Sequence, residues 1–360
     1  MPDTTTAPAP TDTPARAGKI WGLDAIRFVC AFWVVLGHYE LPLPFGHGQS
    51  SRFLRILDGG LHAAFVGVAA VMVFFVISGF CIRYPFRHGE TPAWGEYFLR
   101  RYLRIGLPLV ASVLLVRLAG AKPTLWENSV LWSLYAEIVY YTVYPLLAWA
   151  QRRVGWNVLL AGAYVAALLV ILRDPHAALY AAYGVGLTWV VGLPCWLLGC
   201  RLADQADGLT AVRVPAIWLW RVGVWVASVL CSVLRFHGNV GYPLTLDVFA
   251  VLVFFWLRQE IRQFRFRRPP DLLERAGGWS YSLYLMHFPA LWAFGALGLL
   301  RLPLPGAALW LMEIALALGA AYVFYTLVER PSHWLARQFK RRKGDTPRPL
   351  RAAPGTGGQD

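Results

Sequence analysis

Residues 27 to 40 read RFVCAFWVVLGHYE. Arg27 and His38 stand at the two ends of ten residues that are otherwise entirely apolar or Gly. In the core of a soluble protein such a helix asks for no explanation. In a bilayer, an ionisable side chain at depth costs on the order of 3 kcal/mol, so each of the two needs a partner or a task. The reading of this stretch therefore turns on what kind of chain surrounds it.

Composition decides that question. Of 360 residues, 57% are apolar and only 15% are charged, and the mean hydropathy is +0.47. Soluble domains carry about one quarter charged residues. Mostly apolar stretches long enough to cross a bilayer recur at roughly 20–43, 61–82, 102–120, 130–150, 156–172, 181–200, 214–234, 243–257, 279–300 and 306–328. Backbone groups in lipid must be satisfied within the segment, so these are helices and not strands. The expected fold is an all-α polytopic membrane protein with about ten transmembrane helices. The 17 Trp and 16 Tyr suit a chain with two membrane interfaces.

Charge sets the orientation. With the N-terminus inside and the spans alternating, the large majority of the 34 Lys and Arg fall in cytoplasmic segments. Both termini are therefore expected in the cytoplasm. The net charge of +14 follows mostly from this asymmetry and needs no nucleic acid to explain it. A basic inner face also attracts membrane lipids with anionic headgroups, or an anionic co-substrate.

Cys30, Cys81, Cys195, Cys200 and Cys231 all lie in the apolar stretches. Their spacing fits neither a zinc site nor a disulfide framework, so they are read as small packing residues and no metal is expected. The first 19 residues hold no apolar run of the kind a cleaved signal peptide needs. Residues 1–19 and the basic tail 335–360 are rich in Pro, Gly and Thr and are expected to be disordered cytoplasmic ends, leaving 20–334 as the membrane domain.

The polar residues inside the apolar stretches are the candidates for chemistry. Arg27 and His38 are eleven residues apart, three helical turns, so they share one face about 16 Å apart along the axis. Asp24 is one turn from Arg27 and can pair with it. Glu137 of WSLYAEIVYY lies about two turns into the fourth stretch and must be paired, protonated or solvated. A carboxylate beside an imidazole orients it and stabilises its protonated form, which makes His38 the expected partner of Glu137. Arg100, Arg101 and Arg104 form a basic cluster at the inner start of the third stretch, suited to phosphate oxygens. GWSYSLYLMHFP carries Ser280, Tyr281, Ser282, Tyr284 and His287, and VERP places Glu329 at the inner end of the tenth stretch. Plain readings stay open beside these: positive-inside signalling for each Arg, polar contacts between helices for the ninth stretch, and a helix-terminal ion pair for Glu329.

Five stretches together resemble the acyltransferase-3 family, whose members O-acylate bacterial polysaccharides, glycolipids and some antibiotics. They are GLDAIRFVCAFWVVLGH with its Arg-x10-His spacing, FFVISGFCIRYPF, FLRRYLRIGLP, WSLYAEIVYY, and SYSLYLMHFP followed by VERP, and they run in the family's order from residue 22 to 334. The resemblance implies a fold of ten or eleven membrane helices and an O-acyltransferase of the EC 2.3.1 type that takes its acyl group from acyl-CoA. It marks Arg27 and His38 as the signature pair, Arg100, Arg101 and Arg104 as cytoplasmic-face residues, and Glu137 as the acid of the Trp-Ser-Leu-x-x-Glu motif. Many members have two adjacent acids there, whereas Ile138 follows Glu137 in this chain.

The expected mechanism joins the two lines of reasoning. Acyl-CoA, with acetyl-CoA as the default, is a co-substrate and not a bound cofactor. Its phosphates rest on Arg100, Arg101 and Arg104 with Arg27 deeper, and the thioester reaches His38. His38, oriented by Glu137, acts as general base on an acceptor hydroxyl or carries the acyl group itself. Ser133 or Tyr284 would steady the oxyanion. The acceptor implied by the family is a sugar hydroxyl of an exported glycan or lipid-linked saccharide, hence O-acetylation in polysaccharide biosynthesis. A homo-oligomer is compatible with all of this. The competing class is a proton-coupled secondary transporter, which would use the same intramembrane His, Glu and Arg; against it, the sequence shows no paired halves with broken helices at matching positions.

Overall fold

The computed structural model describes residues 20–39, 60, 63–120 and 130–339, and among these each of the ten apolar stretches contains a helical segment. The helices are α1 (Leu23–His38), α2 (Gly67–Arg83), α3 (Trp94–Leu118), α4 (Trp132–Ile171), α5 (Gly184–Gln205), α6 (Ile217–His237), α7 (Tyr242–Phe266), α8 (Asp271–Ala276), α9 (Ser280–Ala296), α10 (Gly306–Phe324) and α11 (Arg330–Gln338). No strand is present among the described residues. Residues 1–19 and 340–360, expected as disordered ends, lie outside the described residues. The start of the expected tail differs from expectation: residues up to Gln338 continue as α11, which buries Ser332 and Ala336, four apart on one face, and packs on α3.

Five helical segments are long and apolar enough to cross a membrane on those grounds alone: Gly67–Phe86, Trp132–Ile171, Tyr180–Gly208, Ile217–His237 and Gly306–Gln338. The others fall short for physical reasons. α1 has 16 residues and α9 has 17, while α3 and α7 carry Arg100, Arg101, Arg104 and Arg117, and Arg258, Glu260, Arg262 and Arg265. Large apolar side chains such as Leu118, Leu219, Phe236 and Leu327 face outward and are exposed. Such a surface suits lipid tails and is costly in water.

α4 holds two of the expected stretches. Gly155 has φ 77° and ψ 169°, a region open essentially to glycine alone, and the chain reverses there. Trp132 stacks on Tyr180 just before α5, at 5.1 Å. Trp156 Nε1 donates to Asp204 near the end of α5, at 2.8 Å. Tyr164 then bonds the carbonyl of Asp247, whose carboxylate accepts from Tyr180, so the second arm returns towards the start of α5. Consecutive helices elsewhere also alternate in sense. One end of the bundle gathers the start of α1, the ends of α2, α5 and α7 and the start of α9, through Arg83–Asp204, Gly22 against Phe264 and Gly277 against Asp24. The other gathers the end of α1 and the starts of α2, α7 and α10.

The tightest contact fixes the rotation of two helices. A Cβ at Gly79 of α2 would overlap the carbonyl of Trp196, and one at Gly199 of α5 would overlap the carbonyl of Val76. The two backbones therefore touch where small residues face each other. This contact turns Ser78 and Cys81 of α2 towards the interior face shared with α4. The in-span Arg221 of α6 is not a site residue: it pairs with Glu260 of α7 at 2.7 Å and lies over the Trp218 ring.

Candidate active site

The first turn of α1 is built by a residue distant in sequence. Glu274 Oε2 accepts the backbone N–H of Gly22 at 3.2 Å and of Ala25 at 3.3 Å. It thereby caps α1 from outside and places a negative charge at the helix's positive end. One turn on, Asp24 and Arg27 form an ion pair at 3.6 Å. Arg27 lies deep in the bundle, within electrostatic reach of Cys81, Glu137 and Glu329, yet 32% of its side chain stays accessible. A deep but accessible guanidinium marks an interior that is open to water or to a ligand.

Glu137 faces this same interior. Ser78 Oγ donates to Glu137 Oε1 at 2.6 Å, and the Tyr141 hydroxyl donates to the same oxygen. Trp196 Nε1 supports Ser78 Oγ at 3.3 Å. Arg101 of α3 reaches over the Tyr141 ring at 5.8 Å, and Arg104 lies in electrostatic range of Arg27 and Arg101. Arg100, on the same helix, makes none of these contacts among the described residues. Because α3 begins at Trp94, these arginines stand within the helix and not in the loop before it.

Glu329 belongs to a single π-helical turn, Tyr325–Glu329, that joins α10 to α11. Its carboxylate accepts the Ser282 N–H at 3.1 Å and Ser282 Oγ–H at 2.5 Å, capping the start of α9 as Glu274 caps α1. His333 lies 3.6 Å from its other oxygen and in range of Arg27, Arg104 and Arg337.

His38 stands at the far end of α1. Its Nδ1 is 2.9 Å from the carbonyl of Val34. Its ring centroid lies 5.1 Å from that of His287 on α9 and 5.7 Å from Phe288. Beside it opens a cavity of about 230 Å³, walled by Val34, Phe65, Trp132, Phe236, Tyr242 and Tyr284 among others. The polar side chains on that wall are His38, Ser232, Tyr242 and Tyr284. The Tyr284 hydroxyl is 2.8 Å from Ser133 Oγ, and both hydroxyls reach the carbonyl of Val130, at 3.1 and 3.0 Å.

The expected His38–Glu137 pair is not formed. No hydrogen bond or ion pair links the two among the described residues; Glu137 is taken up by Ser78 and Tyr141. The geometry explains this. Ser133 lies level with Tyr284, beside the His38 cavity, and Glu137 is one helical turn farther along α4, towards the Arg27 end. Ser78, Cys81, Tyr141, His333 and the cavity residues Ser232 and Tyr242 escaped the sequence reading. Only Tyr141 and His333 left a local signal, their i,i+4 spacing from Glu137 and Glu329.

The chain belongs to the acyltransferase-3 family: the family's acyltransferase-domain model matches residues 20–328. Among curated proteins the chain is similar to the acyltransferase MdmB of Streptomyces mycarofaciens, 25% identical over 88% of this chain and 92% of that protein. No solved structure matches it. The protein is thus a membrane acyltransferase of this family, and nothing found favours a carrier.

Proposed function

We propose that the protein is a multi-pass O-acyltransferase of the bacterial inner membrane that moves an acyl group from acyl-CoA to an acceptor hydroxyl. Its ten helical stretches cross the bilayer with both termini in the cytoplasm, as the Lys and Arg distribution favours. The donor enters at the Arg27 end. Arg101 and Arg104, with Arg27 deeper, take the phosphates of CoA, because guanidinium forks match phosphate oxygens. The pantetheine arm follows the accessible face of α1 towards His38.

The observation that carries this reading is that His38, at the opposite end of α1 from Arg27, lines a cavity of about 230 Å³. With Nδ1–H donated to Val34, the neutral ring presents Nε2 as a lone pair, so His38 can take the proton of an acceptor hydroxyl held in the cavity. The hydroxyl oxygen attacks the thioester carbon, the C–S bond breaks, and the proton passes to the CoA sulfur. Ser133 already donates to Val130, which frees the Tyr284 hydroxyl to turn towards the developing oxyanion. Glu137 serves the donor track and not the imidazole. Acetyl is the default group. The acceptor is a glycan or lipid-linked saccharide, for which the cavity offers both apolar side chains and the hydroxyls of Ser232, Tyr242 and Tyr284.

The test uses purified protein in detergent with labelled acetyl-CoA and an alkyl glucoside as acceptor, following free thiol and acetyl ester. His38→Ala should lose at least 100-fold in turnover, as removal of a general base predicts, while still binding acetyl-CoA. Arg101→Ala/Arg104→Ala should lose binding. A His38→Ala protein that turns over normally sinks the proposal.

A further inference from the structure

Among the described residues no hydrogen bond or ion pair joins His38 to a carboxylate, but a second imidazole lies beside it. His287 is wholly buried, its Nδ1 lies 2.7 Å from the carbonyl of Tyr284, and its Nε2 has no hydrogen-bond partner among the described residues. A carbonyl only accepts, so each ring carries its proton on Nδ1: His38 towards Val34 at 2.9 Å, His287 towards Tyr284 at 2.7 Å. Both Nε2 atoms are then lone pairs. A buried acceptor without a donor is costly, and such an orphan in a native fold calls for an explanation. The rings are 5.1 Å apart between centroids and inclined by 39°. That centroid separation leaves room for an Nε2–H···Nε2 hydrogen bond when the two rings point these atoms at each other. The backbone of His287 is itself pinned, because the Tyr39 hydroxyl, next to His38 on the chain, donates to its carbonyl at 2.6 Å.

We propose that His287 is a positioning residue for His38, the acceptor that holds the His38 imidazolium while the acyl group is transferred. The inference rests on the reading of His38 as general base. When the acceptor O–H breaks, its proton goes to His38 Nε2, and the C–O bond forms. The new ester oxygen is a poor acceptor, so the Nε2–H is left without a partner unless His287 Nε2 takes the hydrogen bond. The C–S bond breaks with its electron pair on sulfur, and the proton passes from His38 to that thiolate. His287 gains and loses no atom over the cycle. A pair of neutral rings also avoids burying a carboxylate at this depth.

Two measurements test this. In the acetyl-CoA and alkyl glucoside assay, His287→Leu should lower kcat about 10- to 100-fold with the KM for acetyl-CoA within twofold, and His287→Gln, whose amide oxygen can accept, should recover most of the loss. Equal rates in the two variants, at matched thermal stability, overturn the proposal. Independently of activity, 15N NMR of histidine-labelled wild type, with His287→Gln as the assignment blank, should show the Nδ1–H tautomer at His287. An Nε2–H tautomer overturns it, even if His287→Leu fails to fold. Wild-type protein that does not turn over acetyl-CoA counts against the proposed function and leaves the tautomer measurement to decide the pair.

Discussion

At the scale of single residues, the informative feature is how the half-buried carboxylate of Glu137 is satisfied. Glu137 receives two hydroxyl protons on one oxygen, from Ser78 and Tyr141, and shares its surroundings with Arg27. A carboxylate so provided for has no need of an imidazole. Its influence should therefore fall on the donor. We expect Glu137→Gln to raise the KM for acetyl-CoA by about an order of magnitude while kcat changes little, since uniform binding is what such a residue supplies. A collapse of kcat with KM unchanged would place Glu137 in the chemical step instead. Ser78→Ala removes one of the two donors and should cost about 1 kcal/mol of stability, read as a lower melting temperature in detergent.

At the scale of elements, two glycines act by different physics and can be told apart. Gly155 has open space around it, so Gly155→Ala meets no atom and pays only for its backbone angles, about 1–3 kcal/mol. Gly79→Ala meets the carbonyl of Trp196, a backbone atom that cannot swing aside. The α2–α5 contact must then open, at about 1–3 kcal/mol or more. The two should also differ in function. Opening α2 from α5 displaces Ser78 and so Glu137, whereas the Gly155 corner, beside Trp156 and Asp204, makes no contact with Ser78 or Glu137 among the described residues. Thermal melts paired with acetyl-CoA affinity would separate them: comparable destabilisation, with affinity lost only in Gly79→Ala. Affinity lost equally in both would remove the link from the α2–α5 contact to the donor track.

At the scale of the whole molecule, the helices alternate, and the bundle has one end marked by Arg83, Asp204, Glu274 and Arg27 and another marked by His38 and the start of α7. Donor and acceptor can then approach His38 from opposite ends. Topology is open to direct test. In a background without the five cysteines, Cys30, Cys81, Cys195, Cys200 and Cys231, Asn239→Cys should react with a membrane-impermeant maleimide added to intact cells. Thr210→Cys, on the opposite end, should react only after the cells are opened. The reverse pattern would invert the orientation and put the basic doorway on the wrong side for a cytoplasmic donor.

What the sequence determined by itself was whatever depends on neighbours in the chain. Apolar runs of spanning length became helices because backbone satisfaction is local; the Asp24–Arg27 pair followed from one turn of spacing; the break before Trp156 lay in a short basic segment ending in Gly155. The Arg-x10-His spacing sufficed to put two ionisable groups on one face of α1. The tertiary structure decided which faces met. His38 acquired His287, 249 residues on, and Glu137 acquired Ser78, 59 residues back. No periodicity encodes those meetings. They depend on how each helix is rotated about its axis, and rotation is set by close packing of backbones such as that of Gly79 against Trp196, which exists only once distant segments have come together.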